Sequence, residues 1–152
     1  MSAASLTEIK RAQAQDLTSV LQLLQRVNLP TEGVAEHFGH FFVARAETQI
    51  VGCIGEERYG ETSLLRSLAV TPEWQGKGLG RALTEQLLTE AKAAGVQKVV
   101  LLTNTAAEFF AREFGFALAA RQQFDAAFNA SSEWCLPRCS SAVCLCLPIA
   151  QS

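Results

Sequence analysis

The chain has 152 residues, 49% of them hydrophobic, which suits a single domain over residues 1–152 with a sizeable buried core. Thirteen basic and fifteen acidic residues give a net charge of −2, which excludes nucleic acid or an anionic membrane as a partner attracted by overall charge. No apolar run reaches the roughly 20 residues that span a bilayer, and residues 1–15 lack the apolar core of a signal peptide, so we expect a cytoplasmic protein.

The five cysteines favour reduced thiols, because an odd number without a secretory signal argues against a disulfide framework. Four of them, Cys135, Cys139, Cys144 and Cys146, lie near the carboxyl end of the chain. Their spacing matches no standard zinc pattern and the two histidines are distant in sequence, so we expect no metal site. Cys144 and Cys146 would share one side of a strand as small buried side chains.

The first third of the chain predicts a strand, a helix and a short helical turn. Residues 6–12 alternate apolar and polar side chains, as an edge or early strand does. Asp16 is placed to cap a helix, whose apolar positions recur between residues 17 and 27 before Pro30 stops it. Residues 31–40 can hold one or two helical turns.

Three strands joined by tight turns follow, over residues 41–46, 49–59 and 64–70. In the second strand, the alternation of side chains places Glu57 and Tyr59 on the same face. Both side chains could therefore serve one pocket, although a solvated carboxylate at a strand end is the commoner explanation for a single glutamate.

The segment after the third strand predicts a site for a phosphate. Pro72 cannot continue a central strand, because it has no backbone N–H. Gly76, Gly78 and Gly80 then precede a long amphipathic helix, where bare backbone can approach a ligand and the first N–H groups have no helical partner. A nucleotide P-loop is excluded because Lys77 is followed by glycine, and a dinucleotide-binding turn is disfavoured because TPEWQ separates the strand from the glycines.

The second half of the chain predicts a helix followed by a parallel strand. The helix over residues 79–94 has an apolar stripe and ends at Gly95, and KVVLLT over residues 98–103 suits a central strand covered on both faces. The order strand, helix, strand implies that strands 64–70 and 98–103 are parallel neighbours. A helix and two strands complete the order, over residues 104–114, 116–120 and 140–147. An exposed last strand could pair between subunits, so a homodimer is possible.

These elements resemble those of the GCN5-related N-acetyltransferase (GNAT) superfamily. In that family a strand ending in Leu-Ala-Val precedes Gln/Arg-x-x-Gly-x-Gly/Ala, and this chain has Leu68-Ala69-Val70 followed by Gln75-Gly76-Lys77-Gly78-Leu79-Gly80. The resemblance implies an α/β (α+β) acyl-CoA N-acyltransferase fold, a mixed twisted sheet of about six to seven strands with helices on both faces.

The resemblance also implies acetyl-CoA as co-substrate, whose acetyl group a small-molecule primary amine would attack directly in a ternary complex. Backbone N–H groups of residues 76–81 would hold the pyrophosphate, and the main chain of Leu68 and Val70 would hold the pantetheine arm and the thioester oxygen. The implied cofactor-binding residues are Leu68, Ala69, Val70, Gln75, Gly76, Lys77, Gly78, Leu79, Gly80, Arg81 and Asn104.

One position departs from the family pattern. The family often has Asn-x2-Ala-x3-Tyr-x3-Gly-Phe, and here Ala111 stands where a tyrosine hydroxyl would protonate the departing thiolate. Tyr59, the only tyrosine of the chain, is a candidate substitute. Glu57 is our first choice for the base that removes a proton from the amine. Both predicted catalytic residues therefore belong to the same strand.

Three residues are candidates for binding the acceptor: Arg66, Ser67 and His37. Arg66 and Ser67 interrupt an otherwise apolar strand, where an unpaired guanidinium is costly. Arg66 therefore either pairs with Glu56, Glu57 or Glu61, or clamps a carboxylate of the acceptor. His37 lies where the family has its acceptor pocket, although a half-buried histidine on a short helix is the commoner explanation.

The phrase LLRSLAV, the Tyr-Gly just upstream and the Cys-, Pro- and Ser-rich end are similar to a branch of the superfamily associated with arsenic-resistance operons. This similarity implies a small amino-acid-like or arsenic-containing acceptor, and it gives the clustered thiols interest as a soft-metalloid site. Two alternatives stay open. One is a non-catalytic coenzyme A-binding or sensor protein, which the missing tyrosine favours; the other is a thiol-based metalloid-binding protein whose glycine loop is vestigial.

Overall fold

A computed structural model describes residues 7–139 and 141–149, which form a mixed sheet flanked by helices. Its strands are β1 (Thr7–Arg11), β2 (Phe41–Ala46), β3 (Gln49–Tyr59), β4 (Thr62–Val70), β5 (Lys98–Thr103), β6 (Ala117–Leu118) and β7 (Val143–Pro148). The α-helices of these ranges are α1 (Leu17–Arg26), α2 (Leu79–Ala93) and α3 (Ala107–Phe114). Short 3₁₀ helices lie at Ala14–Asp16, Phe38–His40, Pro72–Trp74, Arg121–Phe124 and Pro137–Cys139. None of the helices in the described ranges combines the length and the apolar composition that crossing a membrane requires.

The seven strands form one sheet in the order β1-β2-β3-β4-β5-β7-β6. The β1–β2, β2–β3, β5–β7 and β6–β7 pairs are antiparallel. Strands β4 and β5 are parallel, and their ladder runs from Thr62↔Lys98 to Leu64↔Val100. This arrangement confirms the predicted fold class and the predicted parallel neighbours.

The last strand, considered above as a possible dimer contact, does not lie at the edge of the described sheet. Strand β7 pairs with β5 on one side and with β6 on the other, where Ala117 faces Cys146 and Leu118 faces Leu145. The short β6 therefore covers the outer side of β7, and the described sheet ends at β1 and β6. A homodimer stays a prediction, but pairing between two copies of the last strand no longer supports it.

The chain divides into two compact units, each built from two separate stretches. The first unit contains the chain up to Glu56 and Ser67–Thr89, and the second contains Glu57–Arg66 and the chain from Glu90 onward. The single domain expected over residues 1–152 therefore stays a prediction.

The core of the first unit forms where α1 packs on the sheet. The apolar stripe of α1 places Val20, Leu23 and Leu24 in one buried cluster with apolar side chains of β2, β3 and β4. Gly52 of β3 allows a close approach from α2, since a Cβ there would lie 3.0 Å from Leu83 Cδ1 and 3.1 Å from Leu79 Cδ2. The helix that follows the glycine loop is therefore anchored directly on the sheet.

The core of the second unit includes aromatic side chains from the segment between β6 and β7. Phe128 is fully buried, and its ring centroid lies 4.8 Å from that of Trp134. Arg121 covers the Trp134 ring at 4.6 Å and donates hydrogen bonds to the carbonyl oxygens of Trp134 and Cys139. This segment has no regular periodicity, yet its rings and backbone hold it in a defined position.

Several predicted element ends shift by a few residues. Helix α3 begins at Ala107 rather than 104, because Thr103 Oγ1 accepts hydrogen bonds from the N–H groups of Thr105 and Ala106 and holds a turn before the helix. Gly115, at φ 81°, ends α3 as predicted. The strand predicted over 116–120 contains only Ala117–Leu118, and residues 6 and 140 of two other predicted strands lie outside the described residues.

Candidate active site

The glycine loop adopts a backbone conformation that glycine permits and other residues avoid. Gly76 has φ 78° and Gly78 has φ 83°, both in the left-handed region, and α2 begins at the next residue, Leu79. A Cβ at either glycine would meet nothing within 4 Å, so the requirement for glycine is conformational rather than steric. The loop therefore presents bare backbone at the start of a helix, where unpaired N–H groups and the helix dipole favour an anion.

The residues before the loop are held by hydrogen bonds to the sheet and to the loop itself. The Thr71 N–H donates to Val51 O at 2.9 Å, and Gln75 Nε2 donates to Val70 O at 3.0 Å. Gln75 was predicted to bind the cofactor. In the structure its side chain holds the carbonyl end of β4, and cofactor binding by Gln75 stays a prediction.

Ser67 introduces a backbone irregularity into β4. Its φ of 62° lies in the left-handed region, which is unusual for a residue with a side chain, and its side chain is buried. The Cys53 thiol donates to the Ser67 carbonyl oxygen at 3.3 Å, and burial raises the pKa of Cys53 to about 12. The sequence shows Ser67 as an odd residue in an apolar strand, but nothing in the sequence indicated the positive φ.

Arg66 is paired, and one of its partners is Glu57, one of the three glutamates that were predicted as alternatives. Its Nη1 lies 2.7 Å from Glu57 Oε2, and both side chains are fully enclosed in the protein. Its Nε lies 3.7 Å from Oε2 of Glu133, which is also buried. Sequence reasoning missed Glu133, since it lies in a segment without periodicity and far along the chain from β4.

Tyr59 completes this charged group, as the shared face of β3 predicted. Its hydroxyl donates to Glu57 Oε1 at 2.5 Å, so both oxygens of the Glu57 carboxylate accept a hydrogen bond. The pKa of Tyr59 is raised, first by burial and then by its hydrogen bond to Glu57 and the charge of Glu57. The phenol therefore keeps its proton at neutral pH.

The turn that carries Glu133 is fixed on both sides of that residue. The Trp134 N–H donates to Ser131 Oγ at 3.1 Å, and Trp134 Nε1 donates to Asp125 Oδ1 at 2.9 Å. A hydrogen bond with Ser131 also acts on Tyr59, where it opposes the rise in pKa. Glu57, Tyr59, Arg66, Ser131 and Glu133 thus form one polar network within the second unit, in which all side chains except the half-buried Tyr59 are buried.

The remaining predicted site residues lie elsewhere. His37 precedes the 3₁₀ helix Phe38–His40 in the first unit, together with the strand end and the glycine loop. Lys77 and Asn104 are exposed, and Arg81 Nε lies 3.5 Å from Glu85 Oε2 on the surface of α2. Of the predicted catalytic and acceptor residues, the structure brings Glu57, Tyr59 and Arg66 into contact.

The carboxyl-terminal thiols differ in their exposure. Cys139 and Cys144 are buried, Cys146 is half-buried, and Cys135 is exposed. Burial raises the pKa of both Cys144 and Cys146. Within residues 7–139 and 141–149, no group of three or more His, Cys, Asp or Glu side chains is arranged to hold a metal ion.

Residues 37–118, more than half of the chain, match the Acetyltransferase (GNAT) domain. This stretch runs from the turn before β2 to the end of β6, so it contains the glycine loop and the parallel strand pair. The chain therefore belongs to the GNAT acetyltransferase family.

Curated relatives agree with this assignment. Over 73 residues the chain is 38% identical to the uncharacterized N-acetyltransferase CT2212 of Chlorobaculum tepidum, a stretch that is 47% of each protein. It is also 29% identical over 131 residues to the amino-acid acetyltransferase of Pseudomonas fluorescens, covering 78% of this chain and 29% of the relative. The chain thus spans about half or less of the length of these relatives.

The fold also has a close counterpart among solved structures. N-acetylglutamate synthase from Neisseria gonorrhoeae, crystallised with coenzyme A and L-arginine, superposes with a TM-score of 0.79 at 19% identity. The similarity covers 95% of this chain and 34% of the synthase. At that identity the likeness concerns the fold.

Proposed function

We propose that the protein is an acetyl-CoA-dependent N-acetyltransferase that acetylates the primary amine of a small molecule by direct attack in a ternary complex. The observation that carries this proposal is the strand end Leu68-Ala69-Val70 followed by a loop whose Gly76 and Gly78 adopt φ near 80° at the start of α2. The residues present suit acetyl-CoA, since an exposed loop of bare N–H groups binds a pyrophosphate without a metal ligand.

The donor is held mainly by backbone. The N–H groups of residues 76–81 bind the pyrophosphate, and the main chain of Leu68 and Val70 binds the pantetheine arm. The Val70 N–H donates to the thioester oxygen as negative charge develops on it. Gln75 contributes through the next peptide, because its hydrogen bond to Val70 O holds the Val70–Thr71 peptide, which directly follows the Val70 N–H.

The buried network supplies acid–base chemistry. The ammonium form of the amine first releases one proton to water. The neutral amine then forms the bond to the acetyl carbon and gives its second proton to Glu57, and the carbon–sulfur bond breaks. The departing thiolate takes a proton from the Tyr59 hydroxyl, and Glu57 returns a proton to Tyr59 through their 2.5 Å hydrogen bond. Tyr59 thereby replaces the hydroxyl that Ala111, exposed on α3, does not provide.

The acceptor is proposed to be small and amino-acid-like. Similarity to an amino-acid acetyltransferase supports this class. Arg66 supports it less than the sequence indicated, because Glu57 and Glu133 already occupy its guanidinium. His37 and Ser67 remain proposed acceptor contacts, and the phrase LLRSLAV with the clustered thiols supports an arsenic-containing amine as one acceptor to test.

A panel of amines tests this proposal. The protein is incubated with acetyl-CoA and each of four classes: neutral amino acids, an arsenic-containing amino acid analogue, simple alkylamines without a carboxylate, and a peptide with a free amino terminus. Release of free thiol is followed. We expect thiol release with at least one amino-acid-like amine, and a lower kcat/KM for the matching alkylamine if Arg66 senses the carboxylate.

A coenzyme A sensor is the second candidate, because Ala111 stands at the position of the family tyrosine. Tight binding of coenzyme A without thiol release on any amine of the panel would support the sensor. A cytoplasmic location, like the link to arsenic resistance, rests on the sequence patterns alone.

A further inference from the structure

We propose that Glu133 is a positioning residue that makes Glu57 a better base by sharing Arg66 with it. This inference rests on the proposed role of Glu57 in removing a proton from the acceptor. It adds a residue that neither the GNAT strand-and-loop pattern nor the predicted site contains.

The geometry places the two carboxylates on different nitrogens of one guanidinium. Glu57 Oε2 lies 2.7 Å from Nη1 of Arg66, and Glu133 Oε2 lies 3.7 Å from Nε. The side chains of Glu57 and Arg66 are fully enclosed, and that of Glu133 is 9% exposed. Water therefore screens these charges little, and both carboxylates act on the guanidinium that they share.

The energetic consequence follows from charge alone. A buried carboxylate with a guanidinium to itself is held in its ionised form, which makes it a poor acceptor of a proton. A second carboxylate on the same guanidinium offsets part of that positive charge and repels the negative form of the first. Glu133 thus makes proton transfer to Glu57 more favourable, which raises the rate at a given pH.

Three elements contribute groups that contact Glu57 or its partner Arg66. Tyr59 lies on β3 with Glu57 and donates to its other oxygen, Arg66 lies on β4, and Glu133 lies in the turn before β7. The hydrogen bonds of Trp134 to Ser131 and Asp125 fix that turn. The fold of its own segment therefore holds Glu133 near Arg66. A carboxylate that lay near Arg66 by chance on the surface would not be fixed in this way.

The test is the pH dependence of kcat/KM for the best acceptor of the amine panel, measured for Glu133→Gln. We expect the acidic limb of the profile to move to lower pH and the plateau rate to fall several-fold, because the base then accepts a proton less readily. The KM for acetyl-CoA should not change. Glu108→Gln, an exposed glutamate of α3, is the matched control and should reproduce the wild-type profile.

The outcomes separate this inference from the proposed function. A wild-type profile for Glu133→Gln, together with a large loss of rate for Glu57→Gln, would overturn the role of Glu133 alone. An unchanged rate and profile for Glu57→Gln would show that Glu57 is not the base, and the role of Glu133 would be overturned with it.

A second variant keeps the test decisive if Glu133→Gln does not fold, as judged by circular dichroism and thermal unfolding. Glu133→Asp keeps the charge but draws it back from Arg66 by one methylene. Its acidic limb should move in the same direction by a smaller amount, and an unmoved limb would count against the inference.

Discussion

Arg66 illustrates how burial decides between two roles that a sequence leaves open. A guanidinium in an apolar strand requires an anionic partner, but the partner can belong to the protein or to a ligand. The structure supplies Glu57 at 2.7 Å and Glu133 at 3.7 Å, so the pairing satisfies the guanidinium without an acceptor. Removing Arg66 would take the shared cation away from two buried carboxylates, a change that typically costs about 3–5 kcal/mol.

At Cys53, burial should control both reactivity and stability. The pKa of about 12, raised from 9.0 by desolvation, means that the folded state resists forming the thiolate. In native protein at pH 8 we expect a thiol reagent to label exposed Cys135 within minutes and to leave Cys53 unmodified, as mapped by peptide mass spectrometry.

The same shift fixes the sign of a pH effect on stability. Because the pKa of Cys53 is higher in the folded than in the unfolded state, its contribution to stability is complete below pH 9 and is lost as pH rises towards 12. The free energy of unfolding should therefore fall over this range, and less so in Cys53→Ala. Labelling of Cys53 as fast as Cys135 in native protein would contradict the assigned burial.

The glycine loop and α2 form the element on which the donor site depends. Gly78→Ala forces a side chain into the left-handed region, which costs about 1–2 kcal/mol in stability and distorts the N–H groups before α2. We expect the affinity for coenzyme A, measured by calorimetry, to fall at least tenfold, since misdirected donors no longer converge on the pyrophosphate.

Gly95 provides the matched control for this change. It has φ 91° at the other end of α2, and a Cβ there also meets nothing within 4 Å. Gly95→Ala should therefore show a similar loss of stability with wild-type affinity for coenzyme A. Equal affinities for the two variants would mean that the loop conformation at Gly78 is unrelated to donor binding.

Elements with a clear local pattern could be predicted from the sequence, whereas those defined by distant pairing could not. Strands β2, β3 and β5 have the predicted bounds, because their alternation and apolar runs specify strands locally. The position of β7 between β5 and β6 depends on pairing across the chain, which no local pattern records. The helix α3 was predicted to begin at residue 104. It begins later, because the Thr103 hydroxyl stabilises a turn before the helix.

The candidate site divides in the same way. The motif Leu68-Ala69-Val70 with the glycine loop, and the shared face of Glu57 and Tyr59, follow from residues close together in sequence. Glu133 does not, since its position depends on a turn held by the Trp134 hydrogen bonds. The positive φ of Ser67 is likewise a product of the assembled sheet.

At the scale of the whole molecule, membership of the GNAT family defines the fold and the class of chemistry but not the acceptor. Because Ala111 stands at the position of the family tyrosine, two candidates stay open: an enzyme that uses Tyr59 instead, and a protein that only binds coenzyme A. The half-buried Glu57–Tyr59 hydrogen bond favours the enzyme, because a sensor has no need of a proton donor joined to a base.

The most direct test of acetyl transfer measures both products of one reaction. Protein is mixed with acetyl-CoA carrying an isotopically labelled acetyl group, with and without the best amine of the panel, and mass spectrometry follows the amine, coenzyme A and intact protein. Direct attack predicts one labelled N-acetyl product for each coenzyme A released, and unlabelled protein when the amine is omitted. Bound coenzyme A with no acetylated product from any amine would contradict the proposed enzyme.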